Sequence, residues 1–308
     1  MEKTIRVNKK HHAGFESRQR IGYLYILPWV IGVLSFQLYP FMVSIYYSFT
    51  NYSISATHKF VGFQNYITML TRDPDFVNSL LVTFRYVFMS VPMKIIFALI
   101  IALLLNMKLR GMNFFRTVYY LPSILGGSVA VSILWRNLFE TEGVINRILA
   151  NLSIDPVYWL TSPKVALFTI SLLSVWQFGS SMVFFLAGLK QIPNELYEAS
   201  MIDGAGKVHS FFKITLPLLT PIVFFNLVMQ LINAFQEFTA SFIVTNGGPL
   251  KSTYTYGLLL YQNGFMFMKM GYASALSWIL FIIILTFTLF IFRSSAYWTF
   301  YADGGNKK

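Results

Sequence analysis

The sequence predicts an all-α membrane protein with six transmembrane helices, and three observations support this fold class. Of its 308 residues, 56% are hydrophobic and only 12% are charged, whereas about a quarter of the residues of a soluble protein are charged. The apolar residues form six runs, each near the roughly 20 residues that cross a bilayer as a helix. Apart from Arg85 and Lys94, the lysines and arginines lie between these runs or at their edges rather than in one patch. The net charge of +12 therefore indicates membrane topology rather than a nucleic-acid surface.

The six predicted spans form one transmembrane domain, 21–293, between two tails, 1–20 and 294–308. The spans cover residues 21–49, 80–107, 117–135, 165–189, 214–238 and 271–292. A charged loop, 190–213, separates the fourth span from the fifth. The first run is too long for the core of a signal peptide and ends without a small-residue cleavage pattern, so we expect it to be retained.

The distribution of lysine and arginine predicts which side of the membrane each loop occupies. The two tails, the loop between the second and third spans and the loop 190–213 together carry 15 of these residues, and the opposite loops carry seven. Cytoplasmic loops are enriched in lysine and arginine. Both termini and the loop 190–213 are therefore predicted to be cytoplasmic.

The sequence lacks the motifs that define several classes of enzyme. There are no cysteines, which excludes disulfides and thiolate metal sites. The run Gly204 to Lys207 is not a P-loop, because Met201 replaces the first glycine and Val208 replaces the final Ser or Thr. The sequence shows no dinucleotide fingerprint, catalytic triad or zinc-ligand spacing, and its histidines are scattered at His11, His12, His58 and His209. We therefore predict no catalytic site and no bound cofactor.

A polar stripe runs along the fifth span and predicts a cavity. Asn226, Gln230, Asn233 and Glu237 recur at spacings of four, three and four, which places them within about 60° of one another on a helix. Polar groups inside a span usually face a bundle interior or a water-filled cavity. The alternative is that the amides join helices by interhelical hydrogen bonds. Four such residues exceed the needs of one helix contact, which favours a cavity.

Two cations lie inside the second span. Arg85 is nearer its outer end and can reach the interface. Lys94 lies near the middle, beside Pro92, where a lone ammonium group is costly. Either the span is shifted or Lys94 has a structural partner, or Lys94 faces the cavity and pairs with Glu237 or with an acidic group of a substrate.

The loop 190–213 contains a predicted short helix. Asn194 can cap a helix from Glu195 to Ile202, and Gly204 can end it. Small residues at Ala199 and Ser200 would allow a partner surface to approach closely. The alternative is an ordinary amphipathic loop at the membrane interface.

The pattern of this loop resembles a known motif. Glu198-Ala-Ser200 and Asp203-Gly-Ala205, followed by Ile214 and Pro217, are similar to the EAA loop of binding-protein-dependent ABC importer permeases. The resemblance extends over nearly the whole chain, through residues 109–116, 120–122, 189–197 and 245–249. The last two segments are similar to sugar permeases, including the larger maltose permease. That protein's long extracytoplasmic insertion and two additional N-terminal spans are missing here, so contacts made by the insertion are not transferred.

The resemblance implies a type I ABC importer permease in a bacterial cell membrane. Its coupling helix would seat in a cleft of an ATP-hydrolysing subunit through Glu198, Ala199, Ser200, Asp203, Gly204, Ala205 and Gly206. The implied partners are a second homologous permease subunit, two ATPase subunits, an extracytoplasmic solute-binding protein and a carbohydrate. A heterodimer of permeases is expected, although no residue excludes a homodimer. ATP and Mg²⁺ would be used by the ATPase, and this chain would bind membrane lipid but no nucleic acid.

The resemblance also implies substrate positions. In the fifth span they are Gln230, Asn233, Ala234 and Glu237, in the fourth Ser174, Gln177, Phe178 and Ser181, and in the third Ser123 and Gly127. Ala234 has no side-chain hydrogen bond to offer, so the contact pattern must differ from that of the maltose permease. Phe178 is expected to stack on a pyranose ring.

Three other functions are considered. An ABC permease could carry another small solute, such as a polyol or a glycerol phosphate. An ion-coupled secondary transporter would need paired repeats and broken helices, and the sequence shows neither. A non-transporting membrane scaffold would not need the polar stripe.

Overall fold

A computed structural model describes residues 25–53, 59–107 and 110–300. The predicted N-terminal tail, the start of the first span, and His11, His12 and His58 lie outside these ranges, as do residues 301–308 of the C-terminal tail. Within the described residues the helices make up the regular secondary structure, and Thr50 and Phe60 form an isolated bridge. The predicted all-α fold class is confirmed.

The helices are numbered here in chain order. They are α1 (Tyr25–Ser48), α2 (Gln64–Thr71), α3 (Pro74–Leu105), α4 (Met112–Leu125), α5 (Val129–Phe139), α6 (Val144–Asn151), α7 (Ala166–Trp176), α8 (Gly179–Leu189), α9 (Asn194–Ile202), α10 (Lys207–Phe235), α11 (Tyr256–Tyr261) and α12 (Met270–Trp298). Wider π-helical turns lie inside α1 and α10, before α11 and directly after it.

Four helices in the described part of the chain, α1, α3, α10 and α12, are long and apolar enough to cross a bilayer alone. Two bent pairs also qualify when each is counted as one span. The axis turns by 102° between α4 and the segment Val129–Asn151, which contains α5 and α6, and by 47° between α7 and α8. With both pairs counted, the described residues contain six candidate spans.

Two of the predicted spans are therefore not straight helices. The third, 117–135, breaks at residues 126–128, where Gly127 has a φ of +72°, a conformation that glycine adopts without strain. The fourth, 165–189, breaks at 177–178. Gly179 follows this break, and a Cβ there would lie only 2.7 Å from the Tyr119 carbonyl oxygen. The expectation that the chain has no broken helices was wrong. At the second break α4 approaches the backbone closely, and such a tertiary contact cannot be read from the local sequence pattern.

The long helix α3 explains where the two intramembrane cations lie. Its 32 residues extend for about 48 Å, well beyond the roughly 30 Å of a hydrocarbon core. When Leu105 is set at one interface, Arg85 lies about 30 Å away, at the other interface. Lys94 then lies near the middle of the bilayer, as the sequence analysis predicted.

The same helix is the axis of the bundle. One buried cluster joins α3 to α7, α10, α11 and α12 around Tyr86, Phe235 and Tyr256. A second cluster joins α3 to α8 and α10, where the fully buried Ala98 and Ala102 leave room for the neighbouring helix. Because both clusters include α3, its polar residues are held between the other spans.

Candidate functional site

A cavity of about 330 Å³ lies where α3, the two helix breaks and the end of α10 meet. Its lining is mostly polar, with one cation and one carboxylate. The lining residues are Tyr86, Val91, Lys94, Ser123, Gly126, Gly127, Ser174, Gln177, Ser180, Gln230, Asn233, Ala234 and Glu237. Four separate segments of the chain therefore build a single site.

Most of the predicted substrate residues meet at this cavity. Those that line it are Gln230, Asn233, Glu237, Ser174, Gln177, Ser123 and Gly127, together with Ala234. Phe178 and Ser181 do not line it. The structure thus brings three predicted groups, separated by up to 114 positions in the sequence, to one place.

Phe178 is part of the protein core instead. Its side chain is 4% exposed, and its ring packs almost at right angles against Phe97, with 4.9 Å between ring centroids. Tyr119 packs on it as well, at 6.0 Å. The expectation that Phe178 stacks on a sugar ring is not supported by this position, because neighbouring aromatic rings cover it.

Ser181 lies behind the cavity wall. It is fully buried, and its hydroxyl accepts a hydrogen bond of 3.1 Å from Nε2 of Gln230. Ser181 thereby fixes the side chain of a residue that does line the cavity. Its predicted contact with substrate is not supported by this buried position.

Ser123 secures the second helix break from α4. Its hydroxyl donates to the carbonyl oxygen of Gln177 at 3.1 Å and accepts from the backbone N–H of Ser180 at 3.0 Å. Breaks leave backbone groups without helical partners. Ser123 satisfies two of them and so joins α4 to the α7–α8 corner.

The polar stripe of α10 is shorter than predicted. Asn226 is buried, donates to the Ile222 carbonyl at 3.1 Å and does not line the cavity. Glu237 lies beyond the end of α10 at Phe235, and its Oε1 accepts a hydrogen bond of 2.8 Å from the N–H of Ala240. Glu237 thus caps the next helical turn while it lines the cavity.

Lys94 lines the same cavity as Glu237. The two side chains are not within ion-pair distance, and the ammonium group of Lys94 makes no ion pair or hydrogen bond with any residue that the structure describes. The position of Lys94 agrees with the prediction that its ammonium group faces the cavity. The predicted ion pair with Glu237 is not formed. The ammonium group is therefore available to a ligand.

Tyr86 lines the cavity and was missed by the sequence analysis. A signal was present, because Tyr86, Ser90 and Lys94 recur at intervals of four along α3. This spacing places them on one side of the helix. The second span thus carries a polar stripe with the same four-residue spacing as part of the stripe in the fifth span.

The predicted coupling segment forms α9 and the turn after it. Its start differs from the prediction, because Asn194 is the first helical residue and no side chain caps the N-terminus. Its end agrees. Gly204 has a φ of +78°, its N–H donates to Met201, and the N–H of Ala205 donates to Ser200 at 2.9 Å. These two bonds are the pair by which a left-handed glycine terminates a helix.

One side of α9 is fastened to the start of α10 and the other is free. Tyr197 and Thr215 share a hydrogen bond of 2.8 Å between their hydroxyls, and Ser200 and Ser210 share one of 3.1 Å. Of the other predicted coupling residues, Ala205 is half-buried and five are exposed: Glu198, Ala199, Asp203, Gly204 and Gly206. No residue of α9 is buried, so this helix presents an accessible surface that is anchored to a membrane span.

A larger cleft of about 810 Å³ lies at the opposite end of the bundle. It is bounded by the start of α3, the loop before α11 and the start of α12, and an ion pair between Lys251 and Asp75 lies in its wall. Tyr272 donates to Asp73 at 2.6 Å. Burial, followed by the charges of Asp75 and Asp73, raises the pKa of Tyr254 to about 12, so its hydroxyl stays protonated. No group of three or more metal-ligating residues occurs in the described ranges.

The geometry can be compared with known proteins. Residues 67–298 match the family described as binding-protein-dependent transport system inner membrane component. The chain is 50% identical over 283 residues to the probable ABC transporter permease protein YesP of Bacillus subtilis, covering 91% of this chain and 92% of that protein. It is 33% identical over 286 residues to the arabinooligosaccharides transport system permease protein AraP of the same organism, covering 91% and 90%.

A solved structure has a similar fold. It is a chain of a bacterial ABC transporter involved in the import of the acidic polysaccharide alginate. The match has a TM-score of 0.79 at 22% sequence identity and covers 92% of this chain and 98% of that one. The likeness shows the fold, which is that of type I ABC importer permeases.

Proposed function

The chain belongs to the family of binding-protein-dependent transport system inner membrane components, and we propose that it is the permease subunit that carries an oligosaccharide into the cytoplasm. As a member of this family it is a transport component rather than an enzyme. The observation that carries the proposal is the polar cavity at the two helix breaks. The sugar named for the relative AraP supports the same cargo class.

The chemistry of the cavity suits sugar hydroxyls. Each hydroxyl both donates and accepts, and the side-chain amides of Gln230, Asn233 and Gln177 offer both kinds of group. Glu237 adds an acceptor and Lys94 a donor. The volume of about 330 Å³ lies at the lower end of the range for small-molecule sites. A homologous second subunit would supply the facing half, and an oligosaccharide would extend across both.

The energy for transport would enter through α9. Two ATPase subunits would bind ATP and Mg²⁺ and draw the coupling helices together as they close. The hydrogen bonds from Tyr197 and Ser200 to the start of α10 supply the mechanical link. Because α10 continues to Gln230 and Asn233, movement of α9 would be passed to the cavity wall.

The remaining partners follow from topology. The lysine and arginine distribution supports cytoplasmic termini and a cytoplasmic α9 in a bacterial inner membrane. A solute-binding protein would then deliver the cargo at the other end, beside the 810 Å³ cleft. A heterodimer with a second permease remains the expected assembly.

The test is uptake by proteoliposomes that contain the assembled importer and its solute-binding protein. We expect accumulation of an oligosaccharide only with ATP at the nucleotide-binding face and with the binding protein on the opposite side. A polyol or glycerol phosphate as the only accumulated solute would replace the proposed cargo. Uptake that persists without ATP and stops with an ionophore would identify an ion-coupled carrier instead.

A further inference from the structure

A basic pocket lies at the α9 end of the bundle, between the end of α3 and the start of α4. Its volume is about 400 Å³. Among the residues that the structure describes, the lining contains two cations and no acidic residue: Asn106, Met107, Gly111, Met112, Asn113, Arg116 and Lys190. Two positive charges without a counter-charge favour an anionic ligand.

The hydrogen bonds of Arg116 hold its guanidinium group in place. Nη1 donates to the side-chain oxygen of Asn113 at 2.9 Å, and Nη2 donates to the carbonyl oxygen of Leu105 at 2.8 Å. A guanidinium group has five N–H donors, two of them on each terminal nitrogen, so each of these nitrogens keeps one. The ammonium group of Lys190 makes no hydrogen bond or ion pair with a residue in the described ranges, and only its backbone N–H is bonded, to the carbonyl oxygen of Leu186. The pocket therefore retains donors from α4 and from the residue that follows α8.

The start of α4 adds to the positive field. The helix has 14 residues, and no side chain caps its N-terminus at Gly111. The first N–H groups of an uncapped helix attract anions, and phosphate groups bind at such positions. Arg116 lies just beyond the first turn of this helix, so its charge and the helix terminus act on the same pocket.

An apolar groove of about 220 Å³ adjoins the pocket and shares Met112 with it. Its lining also includes Ile101, Leu104, Leu105, Phe115 and Tyr119, with Arg110 as its charged member. Leu104 is 52% exposed and Phe115 is 48% exposed. Ile101 precedes Asn106 by five residues on α3, or about 7.5 Å toward the bilayer centre. The groove thus runs from the polar pocket into the hydrocarbon depth.

We propose that the pocket and groove together bind one anionic phospholipid, with its phosphate between Arg116 and Lys190 and an acyl chain in the groove. Basic pockets between transmembrane helices at the cytoplasmic side bind such headgroups. Free phosphate would leave the apolar groove empty. No residue of α4 is buried in this chain, so a bound lipid would stabilise the helix that carries Ser123 to the cavity.

The experiment is a lipid titration of the assembled importer in detergent, with bound lipids counted by native mass spectrometry. Phosphatidylglycerol and phosphatidylcholine of the same chain length are the probes. We expect tighter binding of phosphatidylglycerol, weakened about fivefold by Lys190→Gln and about 25-fold when Arg116→Gln is added. Arg293→Gln is the matched control. Arg293 is a cation at the same end of the bundle, but it lines neither the pocket nor the groove, so its replacement should leave binding unchanged.

Arg116 also joins α3 to α4, so the Lys190→Gln variant alone decides the outcome if the double variant fails to assemble. Equal binding of the two lipids would overturn the proposal. So would displacement of phosphatidylglycerol by inorganic phosphate at the concentration at which the lipid itself binds, since the groove would then contribute nothing. Weakening by Arg293→Gln as large as that by Lys190→Gln would show a general surface charge effect and would also overturn it.

Discussion

Gln230 on α10 donates a hydrogen bond of 3.1 Å to the hydroxyl of Ser181 on α8. Both residues were predicted to touch substrate, yet only Gln230 lines the cavity. The bond orients the Gln230 amide and leaves its carbonyl oxygen without a hydrogen-bond partner among the described residues. Helix α10 therefore presents an amide to the cavity, and α8 sets the direction of that amide.

Replacement of Ser181 tests this relationship. Ser181→Ala removes the acceptor and leaves a buried amide donor unpaired, which costs about 1–3 kcal/mol. We expect a higher KM for uptake with ATPase binding retained. Ser171→Ala is the control, because Ser171 is an equally buried serine on α7 that bonds only its own helix and does not line the cavity. Equal effects of the two variants would show that only helix packing was disturbed.

Replacement of Lys94 tests whether this residue binds an acidic group of the cargo. Lys94→Gln keeps a hydrogen-bonding side chain and removes the charge, and a hydrogen bond to a charged group contributes about 1.5–3 kcal/mol. If an acidic sugar meets this ammonium, uptake of a uronate-bearing oligosaccharide should fall about tenfold or more relative to a neutral one. Arg85→Gln, in the same helix but outside the cavity, should not change the ratio. Unchanged transport of both sugars would exclude Lys94 from binding.

Glu198 tests the coupling surface. It is exposed on α9, so Glu198→Lys reverses a charge there without disturbing the core. We expect loss of ATPase co-purification or of substrate-stimulated hydrolysis, together with loss of uptake. Glu142→Lys makes the same reversal at an exposed position of the opposite end and should be tolerated. ATP-driven uptake that survives Glu198→Lys would remove this residue from the coupling site.

Gly204 tests the shape of the same segment. Its φ of +78° is strained for a residue with a Cβ, at a cost of roughly 1 kcal/mol or more. Gly204→Ala should lower the thermal stability of the α9 region and reduce coupled hydrolysis. Gly206 has a φ of −75° and open space around the position of a Cβ. Gly206→Ala should therefore destabilise less, and the reverse order would contradict the helix-ending role of Gly204.

Local patterns predicted those parts of the fold that depend on neighbouring residues. Six apolar runs were sufficient for the fold class, and the glycine after Asp203 was sufficient for the end of α9. The helix breaks were not predicted, because hydrophobicity averaged over a span hides the pair Gly126 and Gly127. The close approach that Gly179 permits to Tyr119 joins segments that are distant in the sequence.

The candidate site was predicted in outline, and apart from the omission of Tyr86 its errors arise from tertiary packing. Spacing along an ideal helix placed Asn226 with Glu237, but α10 ends at Phe235, so Glu237 reaches the cavity from outside the helix. Phe178 was expected at the substrate, and Phe97 covers it. The cleft of about 810 Å³ is assembled from several loops and helix ends. None of these arrangements has a local signature in the sequence.

The two helix breaks both open on the cavity, and this has a consequence for the resting protein. Backbone groups released from a helix at bilayer depth need protein partners or water. Ser123 serves two of them, and groups that no side chain reaches require hydration. An unloaded cavity must then hold water, and a wet cavity open at both ends would let ions dissipate the membrane potential. The two helix breaks therefore require a permeability barrier at one mouth of the cavity or the other whenever the cavity is hydrated.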